Sequence, residues 1–181
     1  MDKSNSLDKI ALEIKNCRKC KINKQGKPVP GEGNPDADII FLGEAPGKKE
    51  ADSGRPFIGR SGKFLRQLVR DIGLKEKDVF ITSPVKYLPK KGTPTLSDIK
   101  HGKKHLEKQI DIIDPKIIVL LGNTAVKSML EEKVQVLKDH GKIIKNKGML
   151  FFITLHPAAV IRFPKYKPII NSDFKKIRSL I

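Results

Sequence analysis

Asp38-Ile39-Ile40-Phe41-Leu42-Gly43-Glu44-Ala45-Pro46-Gly47 is the stretch whose reading decides the fold. An apolar run with no polar alternation reads as a strand covered on both faces. The glycines that follow make a tight turn carrying one carboxylate, Glu44. Soon after, Gly54-Arg55-Pro56-Phe57-Ile58-Gly59 brings one aromatic ring. Late in the chain a second apolar run, Leu150-Phe151-Phe152-Ile153-Thr154-Leu155, delivers His156-Pro157-Ala158-Ala159-Val160-Ile161-Arg162. Two strand ends that carry reactive groups point to a site at the carboxyl edge of a parallel sheet.

Outward from these runs, apolar spacing from Leu7 to Ile14 predicts a helix leading into Cys17-Arg18-Lys19-Cys20. Residues 21–37 are rich in Lys, Pro, Gly and Asn and read as a loop. Residues 38–42 are the first strand, and 78–82 the second. Between them, Phe64, Leu65, Leu68, Val69 and Ile72 share one face of a helix over 61–72. Residues 88–95 read as a loop, and Ser97 opens a helix that Asp114-Pro115 ends near Ile113. The third strand is 116–122, Asn123 caps a helix to about Leu130, the fourth strand is 150–154, and 171–180 closes the chain as a helix. Strands alternating with helices predict a parallel sheet with helices on both faces. At 181 residues the chain reads as one domain, 1–181.

The formal charge is +17, from 37 Lys+Arg against 20 Asp+Glu. Such an excess attracts polyanions by releasing their counterions. Lysine greatly outnumbers arginine, which suits phosphate contact by point charges more than bidentate base reading. No run approaches the ~18 apolar residues of a membrane span. The first residues lack the apolar core of a signal peptide. These features predict a cytoplasmic protein acting on nucleic acid, with no membrane partner. The two cysteines, Cys17 and Cys20, have C-x-x-C spacing, which suits half of a metal or cluster site better than a disulfide framework.

Four segments in order, Val29-Pro30-Gly31-Glu32-Gly33-Asn34-Pro35, Gly43-Glu44-Ala45-Pro46-Gly47, Gly54-Arg55-Pro56-Phe57-Ile58-Gly59 and His156-Pro157-Ala158-Ala159-Val160-Ile161-Arg162, resemble the family 4 uracil-DNA glycosylases. The resemblance implies a three-layer α/β/α sandwich around a four-stranded parallel sheet. It implies a monofunctional DNA repair glycosylase that flips out a deaminated base, uracil first, and hydrolyses its N-glycosidic bond. His156 is then the leaving-group stabiliser, its N–H facing the uracil O2 where charge develops. Glu44 positions water or stabilises the cation-like sugar, with fold-stabilising capping as the alternative role, and Glu50 is a second candidate. Phe57 stacks on the flipped base. Backbone of the Gly43-Glu44-Ala45-Pro46-Gly47 loop holds uracil oxygen or phosphate. Pro157, Ala158, Val160, Ile161 and Arg162 approach the duplex, with Val160 or Ile161 as a wedge or as packing beneath the loop. Lys86 joins the DNA-binding set.

Two departures from the family matter. Its [4Fe–4S] cluster takes four cysteines, and Tyr87 and Gly102 stand where two of them belong. The cluster is therefore expected to be absent, and the chemistry needs no cofactor. Two free thiols and two solvent-facing histidines are the expected arrangement. The alternative is zinc on Cys17, Cys20, His101 and His105, the histidines being four apart on a helix. The second departure is Ser83, where the family has an asparagine whose amide can both donate and accept. Weaker uracil selectivity, a shift toward hypoxanthine or xanthine, or a non-catalytic damage-binding protein would each fit that change. A phosphate-transfer enzyme would need a G-x-x-x-x-G-K-[ST] or G-x-G-x-x-G loop, and the chain has neither. DNA is the expected partner and a monomer suffices for the chemistry.

Overall fold

Strands without a polar alternate must be covered on both faces, and this constraint organises the molecule. The computed structural model describes residues 2–130, 134–146 and 148–180. The N-terminal half holds helices α1 (Lys3–Asn16) and α2 (Arg18–Lys21), then strands β1 (Lys24–Gln25), β2 (Glu32–Gly33) and β3 (Ile39–Leu42). Helices α3 (Lys48–Ser53) and α4 (Arg60–Asp71) and strands β4 (Phe80–Thr82) and β5 (Leu88–Pro89) follow. The remainder runs α5 (Leu96–Ile113), β6 (Ile117–Leu121), α6 (Gly122–Met129), α7 (Val136–Asp139), β7 (Ile143–Asn146), β8 (Met149–Thr154), α8 (Pro157–Arg162) and α9 (Lys167–Arg178).

The main sheet has strand order β2-β4-β3-β6-β8-β7. Its centre, β4-β3-β6-β8, is parallel throughout. Every residue of β3, β4 and β6 is buried, as their composition requires. One group of helices, α1, α5 and α6, packs together, and a second group, α4, α8 and α9, packs together, giving the three layers. Phe41 of β3 stacks on Phe174 of α9 with ring centroids 5.7 Å apart. Each such ring, removed from water, contributes about 1.5–3 kcal/mol.

The expected four-stranded sheet is corrected to six strands. The four strands read from the sequence form the parallel centre, and β2 and β7 add antiparallel edges. β2 is two residues long inside the 21–37 segment read as loop. β7 alternates exposed with partly buried residues, so it shows no continuous apolar run. β1, also inside 21–37, pairs with β5 inside the 88–95 segment read as loop, two residues each. Helix starts also move: α1 opens at Lys3 rather than Leu7 and α9 at Lys167 rather than Asn171. Thr95, not Ser97, caps α5: its hydroxyl accepts from Asp98 N–H at 3.1 Å, while the Asp98 carboxylate accepts from Thr95 N–H at 2.9 Å. Asn123 lies inside α6, which starts directly from the end of β6.

Edge strand β2 is tied to the helical layer by charge. Glu32 accepts from Arg66 Nη2 at 2.5 Å and from Arg55 Nε at 2.9 Å, and Arg66 Nη1 donates to Glu76 at 2.7 Å. Burial alone would raise the Glu32 pKa. The hydrogen bonds from Arg55 and Arg66 outweigh it and hold the carboxyl below its ordinary value of 4.5. Stability from this lowered pKa is complete above 4.5 and is lost as pH falls through the native value. Glu32→Gln should therefore cost about 1–3 kcal/mol at pH 7 in urea unfolding. The gap to the parent should narrow as pH falls below 4.5; a gap that does not change with pH would contradict this account.

Candidate active site

Parallel register brings four strand ends to one level. Leu42 is paired with Thr82 and with Leu120, and Leu121 with Thr154. Gly43, Ser83, Gly122 and Leu155-His156 therefore emerge side by side at the carboxyl edge. They help form a pocket of about 220 Å³ whose lining includes Glu44, Ala45, Gly47, Glu50, Phe57, Ser83 and His156. The two chain segments singled out by sequence, some hundred residues apart, thus meet in one cavity.

His156 caps the N-terminus of α8, and its Nδ1 accepts from Ala158 N–H at 3.1 Å. A neutral imidazole bonded this way carries its proton on Nε2, making that atom a donor. Desolvation lowers the His156 pKa below 6.5, partly opposed by Glu44. Gly122, at φ +84°, gives the histidine room: a Cβ there would lie 2.9 Å from His156 Cβ.

The Phe57 ring lies 5.9 Å from the His156 ring, tilted by 31°. Its backbone is left-handed, φ 51°, which is strained for a bulky residue. Surrounding groups hold it there. Arg66 donates to the carbonyl oxygens of Phe57 and Pro56, both at 3.0 Å. Glu50 Oε1 accepts from Ile58 N–H at 2.9 Å and Gly59 N–H at 2.7 Å. Close packing completes the clamp, since a Cβ at Gly43 would lie 2.4 Å from Phe57 Cζ, and one at Gly62 1.9 Å from the Phe57 carbonyl carbon.

Glu44 Oε2 accepts from Thr124 Oγ1 at 2.6 Å, which leaves Oε1 for another donor. Ser83 is buried and donates to Val85 O at 2.8 Å. Its proton is committed there, so toward the pocket its oxygen can only accept. Gly43 N–H donates to Thr82 O at 2.9 Å, so this amide is spent inside the sheet and Gly43 serves by its lack of a side chain. Glu50, expected at the base, has one oxygen occupied by backbone donors and anchors the Phe57 loop.

The expected DNA-facing set divides. Ala158 and Arg162 are exposed and Ile161 is half-buried. Pro157 is buried, and Val160 at 2% exposure belongs to the core, so it packs beneath the loop rather than projecting as a wedge. Lys86 is a correction. Its ammonium is buried and donates to Pro30 O at 3.0 Å, Thr82 Oγ1 at 2.7 Å and Gln109 Oε1 at 2.7 Å. It joins the loop before β2 to β4 and α5 and cannot reach a phosphate. Burial pushes its pKa down to about 7.

Sequence reading missed several contributors. Gly122 ends the stretch read as the third strand and Thr124 follows it, and the rule that sites gather at carboxyl ends could have flagged them. Phe163, exposed beside Arg162 at 5.4 Å, follows directly on the motif. Arg66 gave no signal, because nothing local announces that a helical arginine will reach back to Phe57.

Away from the pocket, Cys17, Cys20, His101 and His105 converge, their candidate ligand atoms all within 4.8 Å of one another. The histidines do not face solvent as expected. The face of α5 that carries them packs against α2, and both are partly buried. Desolvation lowers both their pKa values, keeping the imidazoles neutral. Burial, with a hydrogen bond that the Cys20 thiol donates to Cys17, pushes the Cys20 pKa up to about 12. Tyr87 fills space beside Cys20, Ile10 and Ile14. At Gly102 a Cβ would lie 1.9 Å from Pro84 O, so α5 sits closer to residues 84–85 than a side chain there allows. With two thiols in the chain, and Tyr87 and Gly102 in these positions, the residues present do not fit a four-cysteine [4Fe–4S] site.

The sequence profile of the uracil DNA glycosylase superfamily matches residues 30–177, which include Glu44, Phe57, Ser83 and His156 of the pocket. A type-4 uracil-DNA glycosylase of Sulfurisphaera tokodaii is 44% identical over 97% of this chain and 84% of its own length. Those of Saccharolobus solfataricus and Archaeoglobus fulgidus are each 37% identical over 97% of this chain, covering 87% and 93% of their own lengths. With its parallel sheet, its pocket at the carboxyl edge and these relatives, the chain belongs to the uracil-DNA glycosylase superfamily.

Proposed function

We propose that this single-domain protein is a DNA repair glycosylase that flips uracil out of DNA and hydrolyses the bond between uracil N1 and deoxyribose C1′. The observation that carries the reading is the fixed tautomer of His156. With Nδ1 bonded to Ala158 N–H, Nε2–H is a ready donor in the pocket that Phe57 lines. As the C1′–N1 bond breaks, its electron pair goes to the base, and negative charge grows on uracil O2. A hydrogen bond from His156 Nε2–H strengthens as that charge develops. Phe57, held in place by Arg66 and Glu50, stacks on the extruded base. Glu44, fixed by Thr124, offers Oε1 to a water or to the cation-like sugar. Water adds at C1′, its proton leaves, and an abasic site remains.

Contact with the duplex falls to Ala158, Ile161 and Arg162, joined by Phe163, while the charge of +17 supplies sequence-independent attraction. The chemistry requires neither cofactor nor metal, and a [4Fe–4S] cluster has no place in this reading. A monomer suffices, and no helix among the described residues is long and apolar enough to cross a membrane.

A broadened base preference is favoured by one observation. With its proton on Val85 O, Ser83 can accept from the N3–H of uracil but cannot donate to O4. Hypoxanthine also offers a ring N–H, so rejection of other bases is less firm than an asparagine amide would give.

Cleavage of labelled duplexes, followed by alkali at the abasic site, tests these roles. His156→Ala should lower kcat by about 10²–10³. The parent should keep its activity as pH falls through 6.5, since the His156 pKa lies below that value and the neutral ring is the active form. Loss centred on 6.5 or above would count against His156 as a neutral donor. Phe57→Ala should lower kcat/KM roughly 10- to 100-fold. Ser83→Asn should raise the uracil-to-hypoxanthine rate ratio; an unchanged ratio would remove Ser83 from base selection. Tight DNA binding with no cleavage of any base would replace the enzyme reading by a damage-binding one.

A further inference from the structure

The four-residue cluster at the junction of α1, α2 and α5 has no part in the pocket chemistry. Cys17 ends α1, Cys20 lies in α2, and His101 and His105 are one turn apart on α5. Cys17 Sγ is 3.1 Å from His101 Nε2, and the two imidazole rings lie 5.8 Å apart, edge to face. All four ligand atoms fall within 4.8 Å of one another. His105 Nδ1 is buried without a hydrogen-bond partner, the carboxylate of Glu13 standing 3.9 Å away. A buried nitrogen left this way costs about 1–3 kcal/mol, so its persistence calls for a partner.

We propose that Cys17, Cys20, His101 and His105 bind a single zinc ion in a closed, tetrahedral structural site, in place of the cluster that the family resemblance implies. The donor geometry separates the two cases. Zinc at about 2.3 Å from sulfur and about 2.0–2.1 Å from nitrogen sets its ligand atoms roughly 3.3–3.8 Å apart. The observed set, all within 4.8 Å, already lies close to that spacing. A cubane of four irons holds its ligands at widely separated corners and draws on four thiolates, and this chain has two cysteines. Two thiolates and two imidazoles suit zinc. Zinc binding releases two thiol protons to the solvent and leaves both imidazoles neutral. The site joins the first helical turns to α5, the helix whose Gln109 supports β4 through Thr82 and Lys86.

The test uses the full-length protein, produced without a metal-binding tag and purified without chelator. Elemental analysis should give about one zinc per chain, with no iron and no acid-labile sulfide. Cobalt(II) added to metal-stripped protein should produce the visible absorption of a tetrahedral ion together with a thiolate-to-cobalt charge-transfer band, and zinc should bleach both. Cys20→Ser and His105→Asn should each weaken zinc binding by more than the roughly 10–100-fold that loss of an outer-shell partner costs. Tyr87→Phe, which keeps all four ligands, should bind zinc like the parent. Zinc should raise the melting temperature of the parent and not that of Cys20→Ser. Absence of zinc together with a cobalt spectrum lacking the thiolate band overturns the proposal, as does stoichiometric iron with sulfide. The spectra of the parent decide the matter even where a variant fails to fold. None of these readings depends on whether the chain cleaves uracil.

Discussion

Register in the parallel sheet is the constraint on which the rest depends. β3, β4 and β6 are buried and β8 mostly so, and their hydrogen bonds are satisfied within the sheet, by one another and by the edge strands β2 and β7. Once they are aligned, the residues following each strand must emerge at the same edge. Glu44, Ser83, Thr124 and His156 come together for that reason, although they are scattered over more than a hundred residues of chain. A slip of one residue in any pair would exchange side chains between the two covered faces, upset their packing and disperse the site.

Electrostatics acts on top of that scaffold. Arg66 reaches from α4 to Glu32 on the edge strand, to Glu76, and to the carbonyls of Pro56 and Phe57. Glu50 accepts from the two amides that follow Phe57. Together they keep an aromatic residue in a left-handed conformation that it would not choose alone. The loop is thereby fixed before any base arrives, so less ordering is left to be done on binding. The same logic applies to His156, whose tautomer is set by one backbone amide of its own helix.

The far end of the molecule shows how a site changes when its ligands change. Where the family cysteines are missing, α5 closes against residues 84–85 at Gly102, and Tyr87 fills the small satellite core with Ile10, Ile14 and Cys20. Beside this packing the four donors, two thiols and two imidazoles, lie close together. Lys86, beside them in sequence, is enclosed by Pro30, Thr82 and Gln109, so its charge serves the fold and not the DNA surface.

The sequence by itself determined the α/β class, the four central strands and the segments that carry the site. Apolar runs of strand length, and glycines where backbone must turn tightly, are local signals. Resemblance over those motifs brought Glu44, Phe57 and His156 within reach. Tertiary structure alone decided the rest. The edge strands β2 and β7 were hidden because a short or half-exposed strand has no apolar run to announce it. Val160 and Lys86 face the interior because neighbouring elements close over them, which no local pattern records. The commitment of Ser83 to Val85 O, the grip of Arg66 on Phe57, and the meeting of Cys17 and Cys20 with His101 and His105 all join residues through space. Such contacts exist only after the sheet has aligned and the helices have packed upon it.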